Sequence, residues 1–399
     1  MIFSLIFLLH SVTASLQGGA VMPDGKVDKL VQDTGAWHGP VWGVDINVDF
    51  APEWTALQDW NDATIGAGLT YWNMGHEMLG HAIAPYIYMD IPLVKQPRFE
   101  LGLRPGLGAA FMTKTYRNTV PDGHMFVDVI NANQSIGSVT NLYFPEEIYM
   151  NFPLAKGWSL SLAGGWYHIS NGSIRQPNSG YNIFAGELGV KKVVEGNGRM
   201  AMGNQPTGEK REGFGNKKWS LAVAGTMGGR QVYYRDQQTF MVGSMHAAAY
   251  WNAHPIFRLG GGVDVFYDGA YVQRDTHFGK TNLSLAQPGD CWRVGLSLQP
   301  EFVVGNFTAG LHLGAYMYDP VKALEPQWKE DGLPHERLDK PIFYAYDLLN
   351  AGSAGYPDGW LYTEVVLRYH LPWHIYVQTM MKSHLTKVEF VSLGLGFWY

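Results

Sequence analysis

Short stretches of alternating apolar and polar residues recur along most of the chain. In residues 37–51, Asp45, Asn47 and Asp49 occupy alternate positions, and Val44 and Ile46 lie between them. Side chains two residues apart on a β-strand share a face, so such a segment has one polar and one apolar face. A transmembrane β-barrel needs this pattern, with lipid against the apolar face and a polar lumen inside.

The same alternation predicts about fifteen strands. They fall at residues 37–51, 65–74, 81–93, 99–112, 137–153, 158–166, 181–190, 219–227, 239–252, 257–267, 292–304, 307–318, 360–370, 374–381 and 388–399. Bacterial single-chain barrels close with an even number of strands. We therefore predict an all-β protein with a single transmembrane antiparallel barrel of about 14 strands, in a possible range of about 12–16.

Composition supports a barrel over the other protein classes. Aromatic residues make up 14% of the chain and charged residues 16%, with 48 glycines, whereas about a quarter of the residues in a typical soluble domain are charged. Beyond the N-terminus no window of about twenty apolar residues exists, which argues against a helical membrane protein. The net charge of −6 argues against nucleic acid as a partner. The single cysteine, Cys291, excludes an internal disulfide framework and a cysteine-based metal site.

The two ends of the chain suggest export to the outer membrane of a Gram-negative cell. Residues 1–15 resemble a signal peptide, with an apolar core followed by Val12-Thr13-Ala14 as a cleavage site; a short buried helix is the alternative. The barrel would then span residues 16–399, with a long external loop at about residues 320–359. The last predicted strand ends on Tyr399. It resembles the assembly signal of outer-membrane barrels and implies the barrel assembly machinery as a partner.

Candidate chemistry concentrates in a predicted hairpin at about residues 157–192. Its two strands flank a turn rich in Asn, Gly, Pro and Ser. Strand parity places His168 and Ser170 on the apolar face, roughly 6–7 Å apart, and Asn182 on the apolar face of the returning strand. An imidazole beside a hydroxyl is the minimal pair for nucleophilic catalysis, and a third polar group then fixes the ring. Alternatively, these residues only cap a turn.

The segment His168-Ile-Ser170-Asn-Gly, followed by Gln176-Pro-Asn-Ser-Gly180, resembles the signature of the outer-membrane lipid A 3-O-deacylases (PagL type). It is most similar to the longer relatives of the Bacteroidetes lineage that are named acyloxyacyl hydrolases. The resemblance implies that His168 is the base and Ser170 the nucleophile. The family's orienting acidic residue stands fourteen positions after the histidine, where this chain has Asn182. Glu187 is the nearest carboxylate downstream, but it falls on the opposite strand face.

From the residues and the resemblance we predict an outer-membrane esterase that hydrolyses an acyl ester of lipid A with His168, Ser170 and Asn182. Backbone N–H groups of the turn at Gly172, or the amides of Asn171 and Asn178, would stabilise the oxyanion. The route requires no metal or other cofactor. The expected partners are lipopolysaccharide and outer-membrane lipids.

Two other functions remain compatible with the sequence. Because Asn182 replaces an acidic residue, the chain is alternatively a pore or a lipid-binding or transport barrel with a degenerate site. Acyl transfer would use the same site as hydrolysis and differ only in the acceptor.

A further motif, residues 76–81, begins and ends with histidine. However, its histidines are five apart around Gly80, whereas a helical zinc motif needs them four apart. We predict a tight turn there.

Overall fold

Each alternating segment forms a strand that pairs with its neighbour in the chain, and the strands close into two separate antiparallel barrels of eight strands. We analyse a computed structural model, which describes residues 9–22, 40–50, 55–120, 132–194, 217–232, 238–273, 282–324, 336–339, 342, 359–384 and 387–399. Within those ranges no helix is long and apolar enough to cross a membrane.

Barrel 1 contains the first eight strands. They are β1 (Leu9–Val21), β2 (Val41–Phe50), β3 (Thr64–Asn73), β4 (His81–Gln96), β5 (Phe99–Met112), β6 (Thr140–Pro153), β7 (Trp158–Ser170) and β8 (Tyr181–Val193). The barrel closes because β1 pairs with both β2 and β8, with Leu16 opposite Val44 on one side and Leu188 on the other. Two short helices, α1 (Thr55–Gln58) and α2 (Tyr116–Thr119), lie in its connections.

Barrel 2 contains the other eight strands. They are β9 (Trp219–Arg230), β10 (Phe240–His254), β11 (Phe257–Asp268), β12 (Trp292–Val304), β13 (Phe307–Tyr318), β14 (Leu361–His370), β15 (Ile375–His384) and β16 (Lys387–Trp398). Here β9 closes the barrel by pairing with β10 and β16, where Met227 faces Leu393. The connections contain α3 (Ala270–Gln273) and 3₁₀ turns at Leu283–Leu285, Pro288–Cys291 and Pro320–Leu324.

The all-β barrel class is confirmed, but the single barrel of about 14 strands is corrected to two barrels of eight. Alternation identifies a strand without identifying the strand that pairs with it. The return of β8 to β1 ends the first sheet after eight strands. The strand that the sequence analysis missed is β1, which lies within the predicted leader and the segment that follows it.

The predicted leader, residues 1–15, overlaps the first half of β1. Residues 9–15 form the first half of β1, and Val12 pairs with Val48 of β2 and with Lys192 of β8. Cleavage after Ala14 would remove those pairings. Residues 1–8 and most of the predicted loop 320–359 lie outside the described residues.

The interior of barrel 1 is filled with polar and aromatic side chains. Asp45, Asn47 and Asp49 of β2 point inward and are fully buried, as the alternation predicts. Arg104 contacts Asp90 at 2.5 Å and Glu147 at 3.2 Å. The interior of an eight-stranded barrel is just wide enough for side chains to fill it. The buried polar and aromatic side chains therefore fill the interior of barrel 1.

The outer faces of both barrels are apolar. Large apolar side chains are exposed on alternate positions of successive strands, and they include Ile46, Ile83, Ile87 and Ile148 in barrel 1 and Leu221, Val223, Leu296, Leu298, Leu311 and Leu313 in barrel 2. A contiguous exposed apolar surface of this extent is costly in water and favourable against lipid tails.

Candidate active site

The predicted hairpin forms from β7, a turn and β8, and its register brings the candidate residues together. His168 is directly opposite Asn182, and Trp166 is opposite Phe184. The neighbours Tyr167 and Ile169 point into the barrel and are fully buried. His168 and Asn182 therefore lie on the outer, lipid-facing side, as strand parity predicts.

A continuous line of hydrogen bonds joins the three predicted residues. Ser170 Oγ lies 2.9 Å from His168 Nε2, and His168 Nδ1 lies 2.8 Å from Asn182 Oδ1. Ser170 is only 2% exposed, and His168 is half-buried. This is the spatial arrangement in which a hydroxyl is activated by an imidazole that a third group orients.

Trp166 fixes the direction of these hydrogen bonds. Its indole Nε1–H donates to Asn182 Oδ1 at 3.0 Å. An indole nitrogen is a donor only, so the amide atom that it meets is the oxygen. That oxygen must then accept the hydrogen on His168 Nδ1, which leaves Nε2 unprotonated and ready to accept from Ser170. The Trp166 ring also stacks on the imidazole, with centroids 5.4 Å apart. The sequence analysis did not identify this role.

The turn that follows Ser170 is held by its own amides. The Asn171 backbone N–H donates to Asn178 Oδ1 at 2.9 Å. Asn171 Nδ2 donates to Ser138 Oγ at 2.8 Å and to the Arg175 carbonyl at 2.9 Å. The Asn171 donors are thus engaged by Asn178, Ser138 and Arg175. Asn178 Nδ2 has no acceptor among the described residues. Gly172 adopts a left-handed φ of 63°.

Gly180 is required by the geometry, although the sequence analysis gave it no role. Its φ is +76°, and a Cβ there would lie 2.8 Å from the Ile169 carbonyl oxygen. The same Cβ would lie 3.1 Å from both His168 Cε1 and Ser170 Cβ. The position therefore needs a residue without a side chain. Its place in the Pro-Asn-Ser-Gly motif was the available sequence signal.

Glu187 cannot replace Asn182. It points into barrel 1, as parity predicts, and accepts a hydrogen bond from Gln17 at 2.9 Å.

Residues 74–80 form the predicted tight turn between β3 and β4, in which the Met78 N–H donates to His76 Nδ1 at 3.1 Å.

A second hydrogen-bonded Ser–His–Asp set, not predicted from the sequence, lies in the lumen of barrel 2. His246 Nε2 is 2.5 Å from Ser244 Oγ, and His246 Nδ1 is 2.8 Å from Asp264 Oδ1. All three residues are buried. The sequence offers no signal for this set, because His246 meets Asp264 by cross-strand pairing, and no local pattern specifies that pairing. They lie on the opposite face of their strands from the apolar exterior.

Two family models match the chain. Residues 42–191 match "Lipid A 3-O-deacylase (PagL)", and residues 217–336 match "Acyloxyacyl hydrolase, C-terminal domain". No curated protein matches it.

Three solved structures show a distant likeness to the chain. The outer membrane enzyme PagL is 18% identical, with 46% of this chain and 99% of that chain covered and a TM-score of 0.29. A mutant of the Rh. blastica porin is 10% identical over 99% of this chain and 100% of that chain, with a TM-score of 0.18. The FrpB iron transporter from Neisseria meningitidis is 10% identical over 97% of this chain and 68% of that chain, with a TM-score of 0.22.

The apolar barrel exterior and the family matches together define the class of protein, which is an ester hydrolase of the bacterial outer membrane built as a β-barrel. The two matched regions span more than half of the chain between them. The chain belongs to the lipid A 3-O-deacylase (PagL) family, in the form that carries the acyloxyacyl hydrolase C-terminal domain.

Proposed function

We propose that this protein hydrolyses an ester-linked acyl chain of lipid A, with Ser170 as nucleophile and His168 as general base. One observation carries the proposal: the hydrogen-bond line from Ser170 through His168 to Asn182, on the lipid-facing side of barrel 1. The family match supports lipid A as the substrate.

The reaction proceeds through an acyl-enzyme. Ser170 Oγ attacks the ester carbonyl carbon as its proton moves to His168 Nε2. The bond between the carbonyl carbon and the sugar oxygen then breaks, and the Nε2 proton passes to the departing alkoxide. Water, deprotonated by the same nitrogen, attacks the acyl-serine ester; the bond to Ser170 Oγ breaks, Oγ takes the proton back from Nε2, and the fatty acid leaves. Throughout, Asn182 Oδ1 accepts the Nδ1 hydrogen and keeps the ring in place.

Donors in the turn would stabilise the negative oxygen of the tetrahedral intermediate. Asn178 Nδ2 and the backbone N–H of Gly172 suit this role better than Asn171, whose donors are already engaged by Asn178, Ser138 and Arg175. Removal of one such donor typically lowers the rate on the order of a hundredfold.

The surroundings of the site suit a lipid substrate. Phe184 and Trp166 are 52% and 37% exposed, and Leu188 and Val190 continue the apolar surface along β8. An acyl chain that already lies against the barrel wall would reach Ser170 by lateral diffusion among the outer-membrane lipids. Insertion of the chain into that membrane would require the barrel assembly machinery.

The filled lumen disfavours a pore, the alternative function kept from the sequence. Buried Arg104, Asp90 and Glu147 cross the interior of barrel 1, and buried Arg258 and Glu301 that of barrel 2. Acyl transfer would share the acyl-serine intermediate with hydrolysis. It is distinguished by whether the released acyl chain appears as free fatty acid or on another lipid.

Mass spectrometry of lipid A from Gram-negative cells that express the chain tests the proposal. The wild type should remove one hydroxyacyl group, and Ser170→Ala should remove none. Ser161→Ala is the matched control, because Ser161 is on the same strand but points into the lumen and is buried. Activity that appears only in Asn182→Glu would mean that the site has decayed. Intact lipid A in all the strains, with the barrel folded, contradicts the proposal.

A further inference from the structure

Five carboxylates on the strands of barrel 2 are buried in its lumen. They are Asp264, Asp268, Glu301, Glu364 and Glu389. Three of them contact an arginine, which is permanently charged: Asp268 contacts Arg230 at 2.6 Å, Glu301 contacts Arg258 at 2.6 Å, and Glu389 contacts Arg293. Buried carboxylates ordinarily require such partners, because an uncompensated buried charge is very costly.

Asp264 and Glu364 are the exceptions. Among the described residues, neither contacts an arginine or a lysine, and their only basic neighbours are imidazoles. His246 Nδ1 lies 2.8 Å from Asp264 and 3.9 Å from Glu364, and His312 Nδ1 lies 3.3 Å from Glu364. Tyr362 also donates to Asp264 at 2.5 Å. Two carboxylates thus share one buried site without a fixed positive charge.

Glu364 also carries an unsatisfied oxygen. Glu364 is 0% exposed, and Oε1 has no hydrogen-bond partner among the residues that the structure describes. A buried polar atom without a partner costs free energy. This oxygen is the one that lies towards His246 Nδ1. The unpaired oxygen therefore borders the same space as the imidazole and Asp264.

The donor atoms of His246, Asp264 and Glu364 all lie within 4.8 Å of one another. One imidazole nitrogen and two carboxylate oxygens form a ligand set for Zn²⁺, whose sites with three protein ligands keep a fourth position for water. The three residues come from β10, β11 and β14, so a bound cation would connect strands that are distant in the sequence.

The imidazole is held as in a metal site. His246 Nε2 lies 2.5 Å from Ser244 Oγ, which in turn lies 2.6 Å from Thr226 Oγ1. Histidines that bind metals almost always hydrogen-bond through the other ring nitrogen, which fixes the ring orientation and the tautomer. Ser244 supplies that partner to His246.

We propose that His246, Asp264 and Glu364 bind a divalent cation of the Zn²⁺ class inside barrel 2. The cation takes the place of the Nδ1 proton, replaces the hydrogen bond between His246 and Asp264, and balances the charge of both carboxylates. It stabilises the barrel and takes no part in the chemistry of Ser170. The same arrangement explains why a Ser–His–Asp set occurs in a lumen that no lipid enters.

The test uses the full chain, denatured with EDTA and refolded in detergent with Zn²⁺, with Co²⁺ or with neither. After desalting, elemental analysis should find one tightly held Zn²⁺ per chain, and the Co²⁺ form should show the visible absorption of a tetrahedral nitrogen–oxygen site. Zn²⁺ should also raise the unfolding temperature.

Variants locate the site. Glu364→Gln preserves the shape and removes one charged ligand, so the Zn²⁺ should be lost on desalting. Ser244→Ala should weaken Zn²⁺ binding roughly 10- to 100-fold. The matched control is His370→Gln, which alters a buried histidine of the same barrel that contacts Thr308 and should retain the metal.

Wild-type chain that retains no Zn²⁺ and gives no tetrahedral Co²⁺ spectrum overturns the proposal, and that measurement does not depend on whether any variant folds. A folded Glu364→Gln that retains as much Zn²⁺ as the wild type also overturns it.

Discussion

The replacement of an acidic residue by Asn182 makes the orienting group of the site a sensitive place to test the mechanism. Asn182 Oδ1 accepts two hydrogen bonds, from His168 at 2.8 Å and from Trp166 at 3.0 Å. A neutral hydrogen bond contributes about 0.5–1.5 kcal/mol net. Asn182→Ala should therefore raise the activation free energy by about 1–3 kcal/mol, which lowers kcat about 5- to 150-fold.

Asn182→Asp tests the charge separately from the shape. Aspartate has the size of asparagine and presents an oxygen to both donors. Its hydrogen bonds to the imidazolium that forms during the reaction are charge-assisted, which makes them roughly twice as strong as neutral ones. A gain of about 1 kcal/mol in the transition state corresponds to an increase in kcat of roughly fivefold.

The assay is initial-rate release of hydroxy fatty acid from lipid A in mixed micelles, measured for purified wild type, Asn182→Ala and Asn182→Asp. Heat-dependent migration of the folded barrel in gels confirms that each variant is folded. Asn182→Ala at the wild-type rate would refute the orienting role. A folded Asn182→Asp as slow as Asn182→Ala would show that the amide N–H₂ group, and not the oxygen, is what the site uses.

Three further predictions follow from single contacts. Trp166→Phe retains the ring but loses the N–H that orients the Asn182 amide, so kcat should fall roughly fivefold for about 1 kcal/mol; the loss should be smaller in the Asn182→Asp background, where both oxygens are equivalent. Gly180→Ala should fold but lose at least about tenfold in kcat, because left-handed strain of roughly 1–2 kcal/mol and the new methyl group act on the catalytic pair. Arg104→Met leaves Asp90 with only the longer contact to Lys191, at 3.9 Å, and should lower the free energy of unfolding by about 3–5 kcal/mol, measured by urea titration.

Each of these predictions has a result that would contradict it. An equal effect of Trp166→Phe in both backgrounds would mean that the indole acts through packing alone. Wild-type kcat in Gly180→Ala would show that the turn can move away from the catalytic pair. For Arg104→Met, a change in unfolding free energy below about 1 kcal/mol is the size expected of a solvent-exposed ion pair. It would mean that water screens the contacts of Arg104 with Asp90 and Glu147.

Local patterns in the sequence were sufficient for most of the strands and for the outer site. Strands β5, β12 and β13 have the predicted bounds, because period-two alternation depends only on which face meets lipid. His168, Ser170 and Asn182 were predicted from strand parity together with the resemblance to the family signature. The register that sets His168 opposite Asn182 across the turn of residues 171–180 is a property of the structure. The role of Trp166 was not predictable, since the amide rotamer that its indole N–H selects depends on a three-dimensional contact. Gly180 lies in the Pro-Asn-Ser-Gly motif, but the close approach that excludes a Cβ there is visible only in the structure.

What the sequence determined by itself is the class of fold, the face of each strand and the residues of the candidate active site, because these depend on neighbours along one strand or across one hairpin. The tertiary structure alone decided that β1 completes a first barrel of eight strands, because closure depends on pairing between β1 and β8. It alone also brought His246, Asp264 and Glu364 together. Contacts inside a barrel are set by the pairing and stagger of all its strands, which no local pattern encodes.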